Sequence, residues 1–176
     1  NILKKEFKAK ILAFEDDKER IPMIDIPLKD NQVWKDGIFE FKVIHVPGHT
    51  SGHICFHFFN EKTVFTGDTL FSLGCGRIFE GSYEDMFNSL LRLKVLPPET
   101  KVYFGHEYTL NNAIFCQRFD QNNSGLNKKI LNIKKKLDSG FPSVPSTIKD
   151  ELNCNIFLRA KNKEEFSKLR DLKDNF

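Results

Sequence analysis

No apolar run in this 176-residue chain approaches the roughly 20 residues that cross a bilayer, and no signal peptide opens it. Nothing in it reads as a membrane span. Cysteine is scarce: Cys55, Cys75, Cys116 and Cys154 are scattered, with no C-x-x-C pair. That spacing suits neither a zinc ribbon nor a dense disulfide framework, and points to reduced thiols in a cytoplasmic compartment. Excess charge is small too. The 27 Lys and Arg face 24 Asp and Glu, for a net +3. Both signs alternate along the whole chain, as on a solvated surface, so no nucleic-acid partner is implied, although a basic pocket for a small anion is compatible. There is no internal repeat, no low-complexity segment and no readable Ser-His-Asp or Cys-His nucleophile arrangement.

What the chain does have is aromatic bulk and strand-end polar residues. Phe alone accounts for 18 positions within a 40% apolar composition, enough for one domain, or one domain with a small appendage. Residues 1–11 carry apolar side chains at helical spacing (Ile2, Leu3, Phe7, Ile11), a charged stretch follows, and Pro22 and Pro27 mark loop. From Trp34 the period changes to two: Phe39, Phe41, Val43 and His45 alternate with Glu40, Lys42, Ile44 and Val46. Ile54–Phe59 and Thr63–Thr66 read as a strand pair about a turn at Asn60-Glu61-Lys62. Ser82 with Asp85 predicts a capped helix ended by Pro97-Pro98, and Lys101–Phe104 a short strand. Beyond Thr109 only helices are expected: Asn111–Phe119, Leu126–Leu137 and Glu164–Lys173, with a proline-bearing linker at Phe141–Thr147.

His49, Asp68 and His106 each follow an apolar strand and sit beside glycine, in Pro47-Gly48-His49, Gly67-Asp68-Thr69 and Gly105-His106-Glu107. Imidazole and carboxylate together suit zinc, iron or manganese, and a carboxylate can bridge two cations where an imidazole cannot. A lone histidine of this kind is more commonly a hydrogen-bonded polar residue at the core edge. Three such residues in one strand-end context point to a metal site instead. His45 and His57 lie within strands and read as structural; His53 reads as a residue that hydrogen-bonds the His49 loop. Gly74-Cys75-Gly76 reads as a tight turn around a small buried thiol rather than a nucleophile.

The ordered series Val46-Pro47-Gly48-His49-Thr50-Ser51-Gly52-His53, Thr66-Gly67-Asp68-Thr69-Leu70-Phe71 and Gly105-His106-Glu107-Tyr108-Thr109 resembles the metallo-β-lactamase superfamily. Gly74-Cys75-Gly76-Arg77, Val144-Pro145-Ser146-Thr147 and Phe157-Leu158-Arg159 narrow the resemblance to glyoxalase II, the hydroxyacylglutathione hydrolases. The resemblance implies an α+β fold, the αβ/βα sandwich of that superfamily with its C-terminal half mainly present, in residues 1–108. A helical glutathione-recognition appendage would occupy residues 109–176. It further implies hydrolysis of S-2-hydroxyacyl-glutathione thioesters, S-D-lactoylglutathione to D-lactate and glutathione, as the last step of methylglyoxal detoxification. Two divalent metals would be required, zinc first and iron or manganese as alternatives.

Residue by residue, His49 would be a ligand of one metal, Asp68 the bridging carboxylate and His106 a ligand of the second, with Asp68 and His106 catalytic. Arg77, Phe79 and Tyr108 would meet the substrate, Phe79 standing where some members have Tyr. Arg170 and Lys173 would clamp a glutathione carboxylate from one helix face. No nucleic acid, membrane or obligate protein partner is expected. The family's upstream T-H-x-H-x-D-H ligand motif occurs nowhere in this sequence, which leads to the expectation of a chain lacking the first half of the fold, with partial or absent metal occupancy. The alternatives are a one-iron persulfide dioxygenase-like enzyme and a non-catalytic glutathione-binding fragment.

Overall fold

A computed structural model describes residues 2–176. The first element, α1 (Ile2–Phe7), buries none of its residues. Two three-residue strands, β1 (Leu12–Phe14) and β2 (Ile26–Leu28), then pair in parallel. This differs from the loop expected around Pro27. Pro27 lacks an N–H, which an edge position in so short a ladder tolerates.

The main sheet is built from β3 (Val33–Asp36), β4 (Phe39–His45), β5 (Ile54–Phe58), β6 (Thr63–Gly67), β9 (Lys101–Phe104) and β10 (Ser146–Thr147). Its order is β10-β9-β6-β5-β4-β3, antiparallel except where β6 and β9 run parallel. A crossover through α2 (Tyr83–Lys94) links that parallel pair, as parallel strands require. Before α2 comes a two-stranded hairpin, β7 (Leu70–Phe71) with β8 (Gly74–Cys75). After β9 follow α3 (Thr109–Phe119), α4 (Ser124–Asp138), α5 (Ile148–Cys154), α6 (Ile156–Arg159) and α7 (Lys163–Asp174).

The helix starts follow their sequence signals. Ser82 and Asp85 form a reciprocal capping box on α2, and Asn162 accepts from the Glu165 N–H to cap α7. α2 buries Met86, Leu90 and Leu93. These residues share a core with Ile44, Val64 and Val102 from the sheet and Phe115, Phe157 and Phe166 from the helices. One face of the sheet is therefore covered by helix. The other carries an aromatic row in which Trp34, Phe41, Phe58, Phe65 and Tyr103 meet ring to ring. β10 is a strand where only linker was expected: its two residues answer the open edge of β9.

Candidate metal centre

The three strand-end residues do converge. His49 Nε2 lies 3.4 Å and His106 Nε2 3.3 Å from the same atom, Asp68 Oδ2. His49 leaves the loop after β4. Asp68 follows the end of β6, where a register shift against β9 re-aims the chain and Gly67 takes a positive φ of 49°. His106 follows β9, the strand beside β6. The backbone passes closest at Gly76, where a Cβ atom would stand 1.9 Å from the Asp68 carbonyl oxygen, so no side chain fits.

Hydrogen bonding fixes what these groups offer. His49 Nδ1 lies 2.8 Å from the Arg77 carbonyl oxygen, which can only accept, so Nδ1 carries the proton. In the tautomer protonated only at Nδ1, the Nε2 lone pair faces an acceptor-only carboxylate, and only a proton or a cation relieves that opposition. The 3.3–3.4 Å separations exceed the ~2.7–2.9 Å of a charge-assisted N–H···O bond. They match the roughly 3.3–3.5 Å expected between N and O donors on one tetrahedral zinc, given Zn–N and Zn–O bonds near 2.1 Å. By this measure the donors fit a metal on each side of a shared carboxylate oxygen. Among the described residues, no group of three or more His, Cys, Asp or Glu side chains forms a ready cage for a metal ion. The donors form two pairs instead, and each ion needs further donors beyond these three side chains.

His53 was expected to hydrogen-bond the His49 loop; its side chain instead holds the other strand end, Nε2 accepting from the Asp68 N–H at 3.2 Å. Burial, with the neighbouring His49, holds its pKa below the ordinary imidazole value, which keeps that lone pair available. The loop itself is pinned by Glu80, whose Oε2 accepts from the Ser51 N–H at 2.8 Å and which also pairs with Arg20. His45 hydrogen-bonds the Ser51 carbonyl at 2.8 Å.

A cleft of ≈ 690 Å³ opens over the site, and all eight residues singled out from the sequence line it: His49, Asp68, Arg77, Phe79, His106, Tyr108, Arg170 and Lys173. The Phe79 ring lies against His49 with centroids 5.0 Å apart, and the Tyr108 ring stacks on His106 at 5.1 Å. The far end is cationic. The expected clamp of Arg170 and Lys173 is asymmetric, however. Arg170 is only 3% exposed and donates to the Cys75 carbonyl and to Asp174, leaving its Nε–H without a partner. Lys173 is half-buried and bonded to Asn111. Burial, followed by the charge of Arg170, pushes its pKa down to about 8.

Sequence reasoning missed Phe71, Asn111, Asn112 and Phe176 in the lining. It also missed Glu151 and Asn155, which hold the β7–β8 hairpin from below. Glu151 accepts from the Leu73 N–H at 2.7 Å, and Asn155 donates to the Gly74 carbonyl at 3.0 Å.

The sequence profile of the metallo-beta-lactamase superfamily matches residues 6–106. The crystal structure of ETHE1 from Myxococcus xanthus superposes with a TM-score of 0.69 at 24% identity, over 97% of this chain and 60% of that one. Fold and profile together define a metallo-β-lactamase-type protein. Within that class, the profile of the hydroxyacylglutathione hydrolase C-terminus matches residues 107–176. A hydroxyacylglutathione hydrolase of Pelagibacter ubique is 57% identical over 99% of the chain, and one of Rhizobium etli 42% identical over 99%. The chain spans 73% of the length of each. It belongs to the hydroxyacylglutathione hydrolase family.

Proposed function

We propose that this chain carries the metal-dependent hydrolysis of S-2-hydroxyacyl-glutathione thioesters, S-D-lactoylglutathione giving D-lactate and glutathione, the closing step of methylglyoxal detoxification. The observation that supports this most is the sharing of one carboxylate oxygen, on Asp68, by two imidazoles at one end of a cleft whose other end is cationic. His49 and Asp68 are assigned to one divalent cation and His106 and Asp68 to a second, zinc first, with iron or manganese accepted by the same donors. When bound, such a pair supplies an acidified water and Lewis-acid stabilisation of the oxyanion.

The protein's own groups do the rest. The Arg77 carbonyl keeps the His49 lone pair aimed at the carboxylate. Phe79 and Tyr108 wall the reacting end and reduce its access to water. Phe79 has no hydroxyl, so it offers packing and no hydrogen bond there. Arg77 and Lys173 are assigned to the glutathione carboxylates, with the buried Arg170 adding positive charge behind them, which orients the thioester carbonyl. Thiolate is a good leaving group, so the reaction needs no strong general acid. We assign the metal donors to residues 1–108 and glutathione recognition mainly to residues 109–176. The compartment proposed is the reducing cytoplasm, in keeping with four free, buried cysteines.

The test is thiol release from S-D-lactoylglutathione by metal-loaded protein as a function of pH. Lys173 binds a carboxylate only while protonated, so its charge is present below pH 8 and lost above it. kcat/KM is expected to step down through pH ~8 towards the level of Lys173→Ala while kcat stays level. Lys173→Ala should raise KM and abolish that limb. No thiol release at any pH, or a limb that survives Lys173→Ala, contradicts the reading.

A further inference from the structure

One part of the cleft wall is organised more tightly than carboxylate binding requires. The Lys173 ammonium lies 5.1 Å from the centre of the Phe115 ring and 4.8 Å from that of Phe176. The two rings meet edge to face at 5.2 Å. The Arg118 guanidinium also lies over the Phe176 ring, at 4.5 Å. Phe176 thus contacts a cation of α3 and a cation of α7 at once, and both Lys173 and Phe176 line the cleft. A lysine has four flexible methylenes and a rotamer freedom among the largest of any side chain, so an unrestrained ammonium would be a poorly placed anion ligand. Here two ring faces and the Asn111 side chain restrict it.

We propose that Phe176, together with Phe115, is a positioning residue that cages the Lys173 ammonium and presents it to carboxylate-bearing ligands of the cleft. The glutathione identity of that ligand rests on the function proposed above; the cage does not. The aromatic face is the operative feature, because a ring quadrupole stabilises a cation where an aliphatic side chain of similar bulk only covers it. The other charged and titratable groups around Lys173 include Arg170 and Asp174 on its own helix, Cys116 on α3, and Cys75 and Arg77 from the β8 segment. Asp174 is taken up by Arg170 at 2.8 Å and Arg77 at 3.5 Å.

Two measurements on the metal-loaded chain test this. The first is the proton shift of the Lys173 ε-methylene in wild type and Phe176→Leu. The second is calorimetric binding of glutathione to wild type, Phe176→Leu and Phe176→Trp. The cage predicts an upfield, ring-shifted ε-methylene that moves towards the random-coil value in Phe176→Leu. It also predicts glutathione binding about 2- to 5-fold weaker in Phe176→Leu and near wild type in Phe176→Trp. An unshifted ε-methylene in wild type overturns the cage. A shifted one with Phe176→Leu binding glutathione as wild type does overturns the positioning role. Wild type that binds no glutathione while showing the shifted methylene counts against the proposed substrate and for the cage.

Discussion

Asp68→Asn is expected to lower kcat by about 10³-fold and to weaken divalent-metal binding by about 100-fold or more, with the metal-free protein melting as wild type does. Asp68 Oδ2 is the one atom that both imidazoles face. An amide in its place is neutral and cannot serve two cations, so both half-sites weaken together. Losing a group that merely orients a ligand reduces metal affinity about 10–100-fold, which sets the lower bound for losing the shared ligand itself. Removing stabilisation of a developing oxyanion accounts for a rate loss of the size given. The half-buried carboxylate makes no close hydrogen bond to the core through its side chain, so the fold should not register the change. Calorimetry and steady-state kinetics on the same preparation check both parts. A variant with normal metal binding and normal kcat would remove Asp68 from the site.

Glu151→Ala is expected to cost about 3–5 kcal/mol of stability, the loss that follows when one member of a buried charged pair is removed. Glu151 is 0% exposed. Its oxygens receive the Leu73 N–H at 2.7 Å, the Asn155 amide at 3.0 Å and the Ser146 hydroxyl, and Lys129 stands 3.4 Å away with a side chain only 12% exposed. Two penalties follow from its removal. Lys129 keeps Asp150 but loses a buried counter-charge. Leu73, held at a positive φ of 59°, loses the acceptor of its N–H, and a left-handed leucine persists only where its surroundings enforce it. Because Leu73 joins β7 to β8, the damage should reach Cys75, Gly76 and the Arg77 carbonyl that orients His49. Urea unfolding at neutral pH measures the effect. Glu151→Gln should lose less, since it retains an acceptor for Leu73, and a loss below ~1 kcal/mol in Glu151→Ala would contradict the account.

These two residues also mark how far the sequence could be read. Asp68, His49 and His106 were legible because an apolar strand followed by glycine and a donor residue is a local pattern, and local patterns survive without coordinates. The capped starts of α2 and α7 were legible for the same reason, through Ser82 with Asp85 and Asn162 with Glu165. Glu151 was not legible. Its partners Leu73 and Ser146 come from separate segments, and an acid beside Asp150 in a polar run looks solvated. β1, β2, β7, β8 and β10 were missed because strands of two or three residues are too short to display a period; pairing partners define them.

Arg170 shows tertiary structure overriding a surface pattern. The sequence of α7 is strongly polar, and Arg170 and Lys173 were expected to act as an equal pair, clamping a carboxylate from one exposed helix face. Yet the Cys75 carbonyl and Asp174 neutralise the guanidinium sufficiently for Arg170 to sit inside the fold. The cation pair therefore divides its work. Arg170 is a fixed interior group whose unpartnered Nε–H is itself buried, and Lys173 is the titrating member.

The centre of the account is that His49, Asp68 and His106 hold divalent metal around one shared carboxylate oxygen. Anomalous diffraction from crystals soaked in zinc tests this most directly. The account predicts peaks within bonding distance, ~2.0–2.2 Å, of His49 Nε2, His106 Nε2 and Asp68 Oδ2. Zinc bound elsewhere, with no peak beside these three side chains, would contradict it.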